Sequence, residues 1–335
     1  MNRETERLAW ARQALSNPTV ELERASTDAG FRSYWRTVGM SPSRIVMDSP
    51  PDKEDVRPWL AMRDVLESGG VRVPQVLARD VDSGFLVLED LGVNTYLHDI
   101  DEANADAMFD AAIDQLLKLQ ATQPPTDLPR FDEATITREL RMFDEWFCGK
   151  HLGMTLACDD MEVLDGAYRH LIDAAEAQSQ VLVHRDFMPR NLMQAEGGPA
   201  VLDFQDAAVG PIAYDAISLF KDAFLSWPND RVDAWLRHYH ARATASGLPL
   251  PLLDRFLRDA DLIGVQRHIK IIGVFSRLHY RDHKPKYLTD VPRFFVYLDE
   301  VLPKYPQLAG LHAFIETKIK PAIAALEATH NDAPA

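Results

Sequence analysis

The sequence predicts an α+β protein of two lobes, a small antiparallel β-sheet lobe over residues 1–90 and a larger, mainly helical lobe over residues 91–335. Three observations lead there. Short apolar runs bounded by Pro, Gly and Asp fill much of the first stretch, as half-buried strands require. After Leu91-Gly92 the apolar spacing takes the helical period and keeps it for most of the chain. With 335 residues and 46% apolar content, the chain is also long enough to bury two cores.

Each element follows from local pattern. Residues 3–15 put Leu8, Ala11 and Leu15 on one side of a helix. Ser26 to Arg36 is a small, polar turn that leads into a strand over Tyr34-Trp35-Arg36-Thr37-Val38. Ser43 to Asp48 is a second strand, stopped by Pro50-Pro51. Residues 52–68 have helical spacing and end at Gly69-Gly70, a C-terminal stop signal. Gln75 to Asp80 and Phe85 to Glu89 form a hairpin around Asp82-Ser-Gly84. Helices are expected over 101–120, 137–147, 161–178 and from Tyr214 onward, and a strand-loop-strand passage within 181–206 interrupts them. No internal repeat is present.

The balance of 36 Lys+Arg against 51 Asp+Glu gives a formal charge of −15, which repels nucleic acid and anionic lipid. The two cysteines, Cys148 and Cys158, lack metal-ligand spacing and fit a reducing compartment. The opening Met-Asn-Arg-Glu-Thr-Glu-Arg has no apolar core of a signal peptide, and no apolar run approaches the roughly 20 residues of a membrane span. A cytoplasmic chain is expected, with no nucleic-acid, membrane or obligate protein partner.

The chemistry concentrates in Val181-Leu-Val-His-Arg-Asp-Phe-Met-Pro-Arg-Asn-Leu-Met193 and Val201-Leu-Asp-Phe-Gln-Asp206. Asp186 is the candidate catalytic base, because phosphoryl transfer needs chiefly a carboxylate that orients the acceptor hydroxyl. Asn191 offers a neutral oxygen to Mg²⁺ and Asp203 a charged one, the sparse protein ligation that magnesium takes. Asp206 either touches a second metal or only the loop. His184 reads as a structural member of the loop. These residues together are the equipment of an ATP-dependent phosphoryl transferase in a protein-kinase-like bilobal fold.

Phe85-Leu-Val-Leu-Glu-Asp-Leu-Gly92 would pass a flat cleft, with the Glu89 carbonyl and Leu91 amide as adenine partners. The segment Ser26 to Ser33, holding Ala29-Gly30, would cover the phosphates with small side chains and backbone amides. On a helix near 264–280, Arg267, Lys270 and Arg277 share a face that would suit an anionic acceptor. Glu139, Arg141 and Trp146 are candidates for bonding or stacking on the acceptor, as are Phe147, Tyr214, Phe275 and Tyr280.

Asp186, Asn191 and Asp203, followed by Gly210-Pro-Ile-Ala-Tyr-Asp215, resemble the aminoglycoside phosphotransferase family of small-molecule kinases over roughly residues 20–290. Ile45-Val-Met-Asp-Ser-Pro-Pro51, Phe85 to Asn94 and Arg267 to Asp282 are similar to one branch, the anomeric amino-sugar kinases of bacterial cell-wall recycling. That resemblance implies ATP- and Mg²⁺-dependent phosphorylation of the C1 hydroxyl of N-acetylmuramate or N-acetylglucosamine in a Gram-negative cytoplasm. It also implies that Asp215 supports the catalytic loop. A kinase for another small alcohol, of aminoglycoside, choline or homoserine type, and a nucleotide-binding pseudokinase are the competing readings.

Two departures stand out. Aligning Arg44-Ile-Val-Met47 with the kinase Val-Ala-Ile-Lys strand puts Met47 where the ATP-binding lysine belongs, leaving Arg32, Arg44 and Lys53 as candidate replacements. Gln205 replaces the glycine of Asp-Phe-Gly, and no Ala-Pro-Glu element follows, so protein substrates are not expected.

Overall fold

The computed structural model describes residues 2–27 and 31–331. It shows a five-stranded antiparallel sheet built from β1 (Glu21–Thr27), β2 (Ser33–Val38), β3 (Arg44–Asp48), β4 (Val76–Asp80) and β5 (Phe85–Glu89), ordered β1-β2-β3-β5-β4. Helices dominate the rest: α1 (Arg3–Ala14), α2 (Arg57–Ser68), α3 (Tyr96–Asp99), α4 (Ala105–Ala121), α5 (Glu133–Met142), α6 (Cys158–Glu176), α7 (Tyr214–Phe220), α8 (Asn229–Ala245), α9 (Leu253–Tyr280), α10 (Val291–Val301), α11 (Ala309–Phe314) and α12 (Lys320–Asn331). Two small antiparallel pairs complete the set: β6 (Gln180–Val183) with β9 (Ala208–Pro211), and β7 (Leu192–Met193) with β8 (Ala200–Val201). The fold is α+β, as the sequence predicts.

The chain divides into two compact units. One contains the residues up to Pro125 together with Asp186–Ala207, and the other Thr126–Arg185 with the residues from Ala208 onward. The sequence division at residues 90 and 91 differs from this, for a physical reason. The chain beyond Asp90 stays bonded to the sheet-bearing unit: the Arg72 amide donates to Gln115 of α4, and Thr95 bridges Met193 of β7. The 186–207 segment joins the same unit through the Val201 amide, which donates to the Arg72 carbonyl at 2.7 Å.

Within the sheet, β5 is buried at Phe85, Leu86, Val87 and Leu88, and its register pairs Leu86 with Met47 and Glu89 with Arg44. Met47 is fully buried, so the lysine position of β3 is a core position here. The β4–β5 turn requires Gly84: its φ is +71°, and a Cβ there would lie 1.9 Å from the Ser49 carbonyl oxygen. The helix α2 opens with Pro58 in its first turn and closes at Gly69-Gly70, in accord with the sequence signals. The strand β1 is absent from the sequence reading, and residues 28–30, where Ala29-Gly30 was expected to cover phosphates, lie outside the described residues.

In the second unit α9 is the central element. It packs against α5, α6, α7, α8 and α10, and its buried side runs from Phe256 through Phe275. Gly273 allows the closest approach: a Cβ there would sit 2.4 Å from the Met142 carbonyl carbon and 2.5 Å from the Phe143 amide nitrogen. The helix α5 continues beyond Met142 as a π-wound segment, Phe143–His151, whose Phe147 is packed by Phe143 and Phe295.

Candidate active site

The catalytic-loop motif is held from both sides by backbone chemistry. The strand β6 delivers His184 and Arg185, and the fully buried Asp215 at the start of α7 accepts from both of their amides, at 2.7 and 3.0 Å. Arg185 has φ +75°, a left-handed conformation that costs about 1 kcal/mol or more in a non-glycine residue and persists only where neighbours enforce it. Its guanidinium donates to Glu139 at 2.5 Å and lies 5.4 Å over the Phe131 ring. Asp186 follows directly, half-buried.

In the first unit, the Asn191 amide nitrogen donates to the Asp186 carbonyl at 2.9 Å, and the Leu202 amide donates to the Asn191 carbonyl at 2.9 Å. The motif residues Asp186, Asn191 and Asp203 are therefore linked through the Asn191 side chain and the backbone beside Asp203. Asp203, at φ +60°, is the second strained non-glycine residue here, and it accepts from Gln205 at 2.7 Å.

A cavity of about 340 Å³ in the same unit is lined by Ile45, Trp59 and Leu88 on the sheet side, by Glu89, Asp90, Leu91 and Gly92, and by Asn191, Met193, Leu202 and Asp203. Its volume lies within the range of small-molecule sites. Ile45, Trp59 and Leu88 offer apolar surface that suits a base. Asn191 and Asp203 add one amide and one carboxylate, an all-oxygen donor set that fits magnesium rather than zinc or copper. The Asn191 nitrogen is already engaged with Asp186, which assigns its oxygen to ligation. The donors present thus fit a Mg-nucleotide.

Four predicted residues, Glu89, Leu91, Asn191 and Asp203, line this cavity, while Arg32, Ser33, Arg44 and Lys53 do not. Ser33 accepts from the Trp35 indole, Arg44 donates to the Ser43 carbonyl, and Lys53 pairs at the surface with Asp52. Arg36, Arg190 and Trp59 line it without having been foreseen. Arg36 donates to both oxygens of Asp90, at 2.7 and 3.0 Å, and to the Gly92 carbonyl, clamping the linker after β5. Burial pushes the Asp90 carboxyl up, but bonds from Arg36, Ser43 and the Gly92 amide outweigh it and hold the pKa below the ordinary range.

Residues 21–251 match the phosphotransferase enzyme family. The chain belongs to this family. Among its relatives, the N-acetylmuramate/N-acetylglucosamine kinase of Pseudomonas putida is 48% identical over 299 residues, 89% of this chain and 88% of that protein. The protein of the same name from Neisseria meningitidis serogroup B is 41% identical, covering 94% of this chain and 96% of its own length. An ADP-bound aminoglycoside phosphotransferase shares the fold at TM-score 0.59 and 15% identity, over 87% of this chain and 97% of that one. This member of the phosphotransferase enzyme family is accordingly an enzyme, and no helix among its described residues is long and apolar enough to cross a membrane.

The expected acceptor-side residues are placed differently. Arg267 is 1% exposed inside the second unit, and neither terminal guanidinium nitrogen has a hydrogen-bond partner. Lys270 pairs with Glu139 at 3.2 Å and donates to the Tyr214 hydroxyl at 3.1 Å. Arg277 is half-buried against the Met142 sulfur, and burial followed by the nearby Arg281 lowers its pKa. Of the basic stripe of α9, Arg267 is thus buried, while Lys270 and Arg277 are only partly covered. Glu139 is 3% exposed and serves Arg185, Lys270 and Gln266, while Arg141 pairs with Asp144 and Asp165. Trp146 is half-buried, and Phe147, Tyr214 and Phe275 belong to the core.

Proposed function

We propose that the enzyme transfers the γ-phosphoryl group of MgATP to the anomeric (C1) hydroxyl of N-acetylmuramate or N-acetylglucosamine. The observation that carries this reading is 48% identity, over 89% of the chain, to a kinase named for those two sugars. The site chemistry supports it. The Asp186 carboxylate orients the C1 hydroxyl and takes its proton as oxygen attacks the γ-phosphorus. A new C1–O–P bond forms, the bond to the β-phosphate oxygen breaks, and ADP leaves.

Asn191 and Asp203 would hold magnesium, which balances phosphate charge when bound. The adenine would lie against Ile45 and Leu88, with Glu89 and Leu91 offering backbone partners in the linker that Arg36 and Asp90 stiffen. Asp215, through the His184 and Arg185 amides, keeps the strained loop in the one geometry that aims Asp186.

The test is the product of incubation with N-acetylmuramate, ATP and Mg²⁺, resolved by phosphorus and carbon NMR. Phosphate coupled to C1 is expected. Turnover of neither sugar, with ADP release on choline or an aminoglycoside instead, would overturn the proposal.

A further inference from the structure

The residues that depart from the kinase pattern, Met47 and Gln205, both belong to the first unit. Met47 is fully buried in the sheet core, so nothing at its position reaches a phosphate. Arg36 is committed to Asp90 and Gly92, Arg44 turns to its own strand, and Lys53 is held by Asp52 at the surface. Arg32, immediately before β2, lies outside the cavity lining but its contacts lead to it. It is buried, its Nε lies 3.2 Å from Glu54 Oε1, and its Nη1 donates to Gln205 Oε1 at 3.1 Å. The same Gln205 side chain donates to Asp203 at 2.7 Å. One glutamine therefore connects the guanidinium to the carboxylate at the end of the cavity.

Both ends of this chain of contacts are anchored. The Glu54 amide donates to the Pro50 carbonyl at 2.9 Å, and its carbonyl accepts from the fully buried Ser49 at 2.8 Å, just ahead of α2. At the other end Phe204, fully buried between Asp203 and Gln205, packs on Trp59 of α2 with ring centroids 5.1 Å apart. A glycine at 205 could not make either contact.

We propose that Arg32, anchored by Glu54 and tethered through Gln205 to Asp203, is the cation that binds the donor phosphates in place of the lysine missing at Met47. Arg32 and Glu54 then form the ion pair that a strand lysine and helix glutamate make elsewhere, and Gln205 is a positioning residue that sets Arg32 and Asp203 at a fixed separation. A guanidinium suits the task, since its fork matches two phosphate oxygens at once and stays charged at any working pH. The two departures compensate each other.

This inference rests on ATP being the donor, and calorimetric binding of ATP and of adenosine to the full chain separates the two claims. Arg32→Ala is expected to weaken ATP by about tenfold to a hundredfold, the loss of a charge-assisted contact, and adenosine by less than about twofold. Glu54→Gln should move the ATP-to-adenosine ratio in the same direction by less. Gln205→Ala combined with Arg32→Ala should cost less than the sum of the single changes, because the glutamine acts through the arginine. Unchanged ATP affinity in Arg32→Ala, or equal losses for ATP and adenosine, would overturn the role of Arg32 alone. A wild-type chain that binds adenosine but gains nothing from the phosphates would overturn the donor assignment and the inference with it. A circular-dichroism spectrum and a urea midpoint close to wild type serve as the check that each variant is folded.

Discussion

Replacing Glu139 by alanine should damage both stability and turnover while sparing the nucleotide. Glu139 is the shared acceptor for Arg185 at 2.5 Å, Gln266 at 3.2 Å and Lys270 at 3.2 Å, in a pocket where its side chain is 5% exposed. Its removal takes away the carboxylate that both cations share. Breaking a buried pair costs about 3–5 kcal/mol, and the lower end, about 3 kcal/mol, applies because the Arg185 and Lys270 side chains keep 23% and 15% exposure. Glutamine at 139 retains an acceptor but no charge and should lose roughly half as much. Arg185 must hold φ +75° with one fewer restraint, so the neighbouring Asp186 will sample more orientations. A misplacement of about 1 Å lowers turnover by roughly a hundredfold. The assay is urea denaturation beside coupled ADP release, with kcat and the ATP KM fitted separately. The expected pattern is a lower midpoint, kcat down by tenfold or more, and an ATP KM within about threefold of wild type, since no residue of the second unit lines the cavity. A folded Glu139→Ala with wild-type kcat would refute the view that this network positions the loop.

Other outcomes follow from the same geometry. Asp186→Asn keeps size and hydrogen bonding but not basicity, so kcat should fall by about 10²- to 10⁴-fold with ATP affinity unaltered in a binding titration. The Asp90 carboxyl has its pKa below the unfolded value, so between the two the folded chain carries fewer protons and stability rises with pH. Its contribution is present above about pH 4 and is lost as pH falls through the folded pKa. Asp90→Asn should therefore flatten the acid limb of a Tm-against-pH curve, and an unchanged limb would show that the Arg36 clamp does not contribute. Gly273→Ala drives a methyl group against the Met142–Phe143 backbone, which cannot yield as a side chain would. A loss of about 1–3 kcal/mol in denaturant midpoint is expected, and a neutral result would mean that α5 and α9 sit farther apart than described.

The parts of this protein that sequence made legible are those in which function and local chain order coincide. Asp186, Asn191 and Asp203 are separated by a few residues and two short strands, and the bonds from the Asn191 side chain to the Asp186 carbonyl and from the Leu202 amide to the Asn191 carbonyl tie that spacing together. The β4–β5 hairpin was equally plain, because Gly84 has one steric reason to be there. What stayed hidden depends on which surface a pattern faces. The strand β1 carries Glu21, Glu23 and Arg24 on an exposed edge, so no apolar alternation betrays it. Periodicity groups Arg267, Lys270 and Arg277 on one side of α9 but is blind to whether that side meets water or protein. Glu139 looked like a hydroxyl partner for the same reason: an isolated acid on a helix gives no sign of the two cations waiting for it. Arg32 could be suspected from Met47, but its connection to Gln205 spans 173 positions of chain and is visible only when folded.

The way the units are threaded has a consequence for how the protein comes into being. The first unit is not finished when its first 125 residues are: Asn191, Met193, Leu202, Asp203 and Phe204 line its cavity yet are synthesised only after Thr126–Arg185 of the other unit. A nascent chain released at residue 125 would possess the sheet but not those five lining residues, among them Phe204, the ring that packs on Trp59. No single cut in a linker can therefore yield two working halves. The two units depend on successive late segments: Asp186–Ala207 completes the first, and the residues from Ala208 onward supply the β9 partner of β6 and the Asp215 that receives the His184 and Arg185 amides.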